Sequence, residues 1–173
     1  MKKTCIVLSA ILLFVIVAVS LCGCIWSKTN AEAAKDNLEQ LISCLEDNDH
    51  NRVKALFAPS RISNIEDFDR DIDELLDYFD GEFVSHDFRG PATFDDIDNG
   101  IKKKWFIISA NITTSKGEFW VAMYWCDLDT ENKDNVGIWS LYIFNHEDNP
   151  SNDFSFYPEG TWNEWSGITI VRM

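Results

Sequence analysis

The chain lacks the short signatures by which most catalytic and metal sites can be read. No Cys-x-x-Cys pair occurs, so neither a zinc ribbon nor a thioredoxin-type site is suggested. The three histidines, His50, His86 and His146, show no His-x-x-x-His or His-Glu-x-x-His spacing, which leaves a zinc site or a hydrolase base unsupported. There is no Gly-x-Ser-x-Gly elbow and no phosphate-binding loop. Basic charge is scarce as well: 15 Lys and Arg face 29 Asp and Glu, a net charge of −14. A polyanion of this kind is a poor partner for nucleic acid, whose phosphates need Lys and Arg to neutralise them. No internal repeat is present, and no linker is long enough to separate a second domain.

What is present begins at the amino terminus. Met1-Lys2-Lys3 precedes an apolar run from Cys5 to Cys22, and the run ends in Leu21-Cys22-Gly23-Cys24. A basic start, an apolar centre and a small-residue exit make a secretory signal. Leu-Cys-Gly-Cys resembles the lipobox of bacterial lipoproteins. The resemblance implies a signal peptide over 1–23, cleavage before Cys24, and a diacylglycerol on its sulfur. Cys22 is then only a small residue on the discarded side. An uncleaved membrane helix and a plain signal cut elsewhere are the alternatives, since the run is near the lower length for a span. Two acyl chains hold a protein stably where one does so only marginally. The expectation is a domain tied to the extracytoplasmic face of a cell membrane through Cys24, with residues 24–28 as tether and 29–173 as one domain. Cleavage removes Lys2 and Lys3 and no acid, so the net charge moves from −14 to −16. Surface charge therefore cannot do the holding against an anionic membrane. Cys44 and Cys126 remain as a possible pair in a compartment that permits disulfides, or as two separate buried thiols.

Along the mature chain the hydrophobic period changes once. Thr29-Asn30-Ala31-Glu32 predicts a capping box, followed by Ala34, Leu38, Leu41, Ile42 and Leu45 at helical spacing to about Asp47. A second short helix is expected over 49–57, closed by Pro59. Ser63-Asn64-Ile65-Glu66 reads as another capping box. It opens a helix with the stripe Ile65, Phe68, Ile72, Leu75, Leu76 and Phe79, an acidic opposite face, and Gly81 as its stop. From Glu82 the period is two. Strands are expected over 82–88, 102–113, 118–127, 136–145 and 167–172, with 90–100 as a loop and Ser115-Lys116-Gly117 as a tight turn. In 118–127 both faces are apolar, so both should be covered. Helices first and antiparallel strands after them predict an α+β fold, about three helices on one face of a curved antiparallel sheet of four to six strands.

On "ELLDYFDGEF" (74–83), "TSKGEFW" (114–120), "DLDTENKDNVGIWSLYI" (127–143), "EWSGITIV" (164–171) and the three-helix opening, the chain resembles a family of bacterial lipoproteins of unknown function, mostly from gut Firmicutes. In element order it is also similar to the nuclear-transport-factor-2-like cone. That superfamily includes isomerases and dehydratases alongside non-enzymatic binding domains, so the resemblance implies a fold and leaves the function open.

The candidate residues are few. Asp127-Leu-Asp129-Thr-Glu131-Asn132 starts like a calcium loop. It departs where Asn132 replaces the required Gly and Ile138 the bidentate Glu, and it reads better as a polar hairpin loop. An isomerase-like site would need an acid and a phenol facing one cavity, for which Asp127, Tyr124 and Tyr142 are the candidates. Trp162 and Trp165 precede the last strand. They are either contacts for a protein, peptide, sugar or small-molecule partner, or a flap over the sheet. No catalytic residue, metal ligand or cofactor is assigned. The reading is a lipid-anchored, non-enzymatic binding or accessory domain, with a small-molecule enzyme that uses the cone's cavity as the alternative.

Overall fold

The structure, a computed structural model, describes residues 28–148 and 166–170. Among the described residues four α-helices come first: α1 (Asn30–Glu46), α2 (His50–Leu56), α3 (Pro59–Ile62) and α4 (Phe68–Tyr78). Six strands follow: β1 (Phe83–Phe88), β2 (Ala92–Asp98), β3 (Ile101–Thr114), β4 (Gly117–Asp129), β5 (Gly137–Asn145) and β6 (Gly167–Ile170). The class is α+β. Among the described residues no helix is long and apolar enough to cross a membrane.

Helix α1 forms as its sequence dictates. Thr29 Oγ1 accepts the Glu32 N–H at 3.2 Å, and the Glu32 carboxylate accepts the Thr29 N–H at 2.8 Å, which satisfies two orphan donors. Its stripe Ala34, Leu38, Leu41, Ile42 and Leu45 is buried. Asp49 caps α2 in the same manner, accepting from Arg52 N–H at 3.0 Å.

The next two boundaries differ from expectation. Pro59 does not close α2. It opens α3 from the first helical position, where its missing N–H costs nothing. The Ser63–Glu66 capping box is absent. Ser63 is the last residue of the α3 turn, its N–H donating to the Pro59 carbonyl at 3.1 Å, so it cannot also start a helix. Helix α4 begins at Phe68 behind Asp67, a left-handed residue (φ 58°) with no side-chain cap. Its stripe is as expected: Phe68, Ile72, Leu75 and Phe79 are buried.

The sheet order is β1-β3-β4-β5-β6, with β2 also on β3. Strand β3 pairs along its length with β4, so its other edge carries β2 (registered on residues 101–107) and β1 (on 110–114) end to end. The expected loop over 90–100 is therefore a strand. Its sequence, ATFDDID, hides this because nearly every residue faces water. Asn99 and Gly100, at φ 48° and 87°, form the two-residue turn that fixes its register. That register sets Asp95 opposite Lys104 and Asp96 opposite Lys103.

The second correction concerns direction: β5 and β6 are parallel, so the sheet is mixed. A hairpin would have made them antiparallel. The 21 residues between Asn145 and Gly167 are long enough for the crossover that parallel strands need.

Helices α1, α2 and α4 lie on one face of the sheet, and α3 turns around its edge to reach the other face through Arg61. Leu38, Leu41, Ile72 and Leu75 from the helices meet Phe106, Ile108, Ile112, Phe119, Met123, Ile138, Leu141 and Ile143 from the strands, none of them measurably exposed beyond 2%. The α2–α3 corner is tied to the sheet through its backbone at Ile138. Ala58 N–H donates to Ile138 O at 3.0 Å, and Phe57 bridges Ile138. Gly137 makes this approach possible. It sits at φ 126°, and a Cβ there would lie 2.6 Å from the Leu56 carbonyl oxygen and 2.9 Å from Ala58 N. Both contacts are backbone and neither can yield. Gly137→Ala is expected to cost roughly 2–5 kcal/mol from backbone strain and overlap combined. Gly100→Ala, also at positive φ but in open space, should cost about 1 kcal/mol. Urea unfolding of the two variants would check the difference; equal losses would mean that the corner does not depend on this contact.

Candidate functional site

Because side chains alternate along a strand, the face of the sheet turned away from the helices carries the other half of each strand. On β3 these are Trp105, Ile107, Ser109 and Asn111. On β4 they are Trp120, Ala122, Tyr124 and Cys126, and on β5 Ser140, Tyr142 and Phe144, joined by Trp139, the extra residue at the irregularity in the β4–β5 register. These side chains make an aromatic layer: Tyr124, Cys126, Trp139, Tyr142 and Phe144 are buried and Trp105, Ile107 and Trp120 half-buried, and this layer is the candidate site.

Its centre is a cluster around Trp139. The Tyr124 ring lies edge-on at 5.4 Å and the Trp105 ring edge-on at 6.2 Å. The Arg61 guanidinium sits 3.5 Å above the Trp139 ring, a cation–π contact worth about 0.5–2 kcal/mol. Trp139 Nε1 donates to the Asn135 carbonyl at 2.6 Å. Trp105 Nε1 is buried with no acceptor. At the other end Trp120 stacks on Phe144 at 5.2 Å, and His146 meets Phe144 edge-on at 5.6 Å.

Burial acts on the phenols and the thiol of this face. Burial pushes the Tyr124 and Tyr142 phenols above their ordinary range, which makes them poorer acids. Burial, with Asp129 adding to it, pushes the Cys126 thiol up to about 11, so no thiolate is available near neutral pH. Cys44 is raised by burial too. Both cysteines are free thiols, and they lie in separate packed clusters: Cys44 under the helices, Cys126 on the aromatic face.

The structure brings some of the expected residues together and separates others. Tyr124 and Tyr142 share a face, as the alternation requires, but it is the face away from the helices. The interior between helices and sheet holds neither. Asp127 does not join them: it sits beside the irregularity in the β3–β4 register and lies 3.8 Å from Lys104 Nζ. The three histidines are on different elements. His50 pairs with Asp69 and Asp73, His86 lies 3.7 Å from Glu39, and His146 lies 3.4 Å from Asn111 Oδ1. Cys24, Trp162 and Trp165 lie outside the described residues. The alternation in β4 revealed the aromatic face. No sequence spacing indicated that Arg61 or the His50 cluster would form, since each joins separate helices or strands.

The calcium-like loop is organised by its own backbone. Asp129 is buried, and its Oδ1 accepts N–H groups from Glu131 (2.9 Å) and Asn132 (3.0 Å), while Oδ2 accepts from Asn135 Nδ2 (2.8 Å). Its oxygens are directed inward at these donors. Burial alone would raise its pKa; Asn135, the two backbone N–H groups and Lys103 outweigh that and hold it below the usual carboxylate range. A depressed native pKa adds stability above the unfolded value of about 3.9 and loses it as pH falls through the native value. Asp129→Asn is expected to lose roughly 1–3 kcal/mol at pH 7 and to flatten the acid side of the stability profile. A variant that kept the parent's acid sensitivity would show that another carboxylate is responsible.

Comparison with known proteins adds one result. A family model described as a domain of unknown function, DUF5104, matches residues 40–146, from the middle of α1 to the end of β5. No curated protein matches the chain.

Proposed function

We infer that this chain, which belongs to the DUF5104 family, is a lipoprotein carried on the extracytoplasmic face of a cell membrane by acyl chains on Cys24, and that its domain binds or supports other envelope components without catalysing a reaction. One observation supports the second half above all: the space between helices and sheet is filled by apolar side chains. A cone that works as an enzyme keeps a cavity there, with an acid and a donor converging on it. Here the candidate acid is paired with a lysine and the phenols face the other way. Helices on one side of an open sheet remain compatible with a nuclear-transport-factor-2-like ancestry in which the cavity has been packed shut. The Leu21-Cys22-Gly23-Cys24 stretch supports the anchor, and a partner met at the envelope would be a protein, peptide, sugar or small molecule.

Metabolic labelling with an alkyne palmitate analogue tests the anchor. The parent and Cys22→Ala are expected to take up label and fractionate with membranes, and Cys24→Ala to do neither. Label or membrane retention in Cys24→Ala would remove the lipoprotein reading. The packed interior is tested by methyl-detected NMR against a fragment library. The methyls of Ile108, Met123 and Leu141 are expected to stay unshifted, and a fragment that moved them would favour the enzyme.

A further inference from the structure

Helices α2 and α4 meet through a histidine held at both ends. His50 Nδ1 lies 2.7 Å from Asp73 Oδ1, and His50 Nε2 lies 3.0 Å from Asp69 Oδ1. Ionised carboxylates only accept hydrogen bonds, so each of these contacts requires an N–H on the ring. Neutral imidazole has one N–H and imidazolium has two. The geometry is therefore satisfied by one protonation state alone. We propose that His50, Asp69 and Asp73 form a proton-operated latch between α2 and α4, closed when the imidazole is charged and opened by loss of one proton.

The surroundings decide which contact fails. Lys54, one turn along α2 from His50, donates to Asp69 at 2.6 Å. Asp69 therefore keeps a cationic partner after His50 is neutralised, and Asp73 has no such second tie. The remaining charges nearby are engaged elsewhere. On the α1 side Asp47 pairs with Arg52, and within α4 Arg70 spans Asp67, Asp71 and Glu74. The cluster is not a metal site, because the two ring nitrogens point in opposite directions to separate carboxylates.

The latch acts where α4 is least secured. The helix starts at a left-handed Asp67 without a side-chain cap. Its first turn is held down by Phe68, which packs edge-on against Phe57 at 4.9 Å, and by the His50 clamp. Beside this turn runs a groove of about 470 Å³ lined by Lys54, Ile62, Phe68 and Asp69 among others. Release of the clamp loosens one wall of it.

The sign follows from the geometry. Asp69 and then Asp73 hold the imidazolium, so His50 titrates above its ordinary value of 6.5. A raised native pKa stabilises fully below the unfolded value and ceases to do so as pH rises through the native one. Because the pair is exposed to solvent, the effect is local and modest.

The test uses the full-length chain in detergent micelles. NMR would follow the His50 ring, and hydrogen exchange would give protection factors, corrected for the intrinsic rate, for the amides of Asp71 to Glu74, which are hydrogen-bonded within α4 around Asp73. Protection in the parent is expected to fall about three- to tenfold as pH rises through the His50 transition. That fall should be absent in His50→Gln and smaller in Asp73→Asn. Protection that does not change with pH in the parent, or that changes equally in His50→Gln, would overturn the latch. A His50 ring titrating at or below 6.5 would overturn it too.

Discussion

Strand β4 has no face that can be given to water. Phe119, Val121 and Met123 point to one side, Trp120, Ala122, Tyr124 and Cys126 to the other, and nearly all are buried. A strand apolar on both sides has to sit in the middle of its sheet with material above and below. The rest of the architecture follows from that requirement. β3 and β5 flank β4, and α1, α2 and α4 supply the cover on the Phe119 side. Neither α1 nor α4 could keep its own stripe dry without this partner: helices of 17 and 11 residues draw most of their stability from packing and not from propensity. The two layers are stable only together.

The same constraint explains what could be read from the sequence. Where burial is one-sided and periodic, the residues gave element and orientation together: α1 with its Thr29 cap, the stripe of α4, the β3–β4 hairpin around Ser115 and Lys116. Where burial does not write a period, reading failed. β2 is exposed along almost its whole length, so no alternation marked it, although Asn99-Gly100 is a strong hairpin signal in retrospect. Ser63 and Glu66 have the right spacing for a box at the start of α4, while the chain spends Ser63 on finishing α3. Local chemistry allowed both outcomes, and tertiary contacts selected one. The direction of β6 depends on a connection and not on its four residues, so nothing in Gly167–Ile170 could have announced it.

Electrostatics divides along similar lines. The acidic row on α4 reads from the sequence as a solvated helix face, and most of it is. Arg70 reaches Asp67, Asp71 and Glu74 across exposed surface, where such pairs contribute little. Asp69 and Asp73 differ only because α2 places His50 between them, and Asp129 differs only because a turn directs N–H groups at it. In each case the carboxylate's role is set by donors brought in by the fold. A count of acids cannot distinguish these three from the other carboxylates.

These observations bear jointly on how an acidic domain could work at a membrane. The six residue steps from Cys24 to Asn30 can span no more than about 22 Å, so a lipid on Cys24 would keep the start of α1 within a few screening lengths of the headgroups. A net charge of −16 would then push the domain's bulk away from an anionic surface while the tether holds its end, which favours an upright, outward-facing pose over one lying flat. Such a pose presents the sheet edges and the far helix surfaces to the envelope and leaves the packed interior as scaffold. Between helices and sheet the chain has placed mostly apolar side chains, with Asn37 of α1 a buried polar exception. The two-sided packing of β4 holds the side chains of both faces in place.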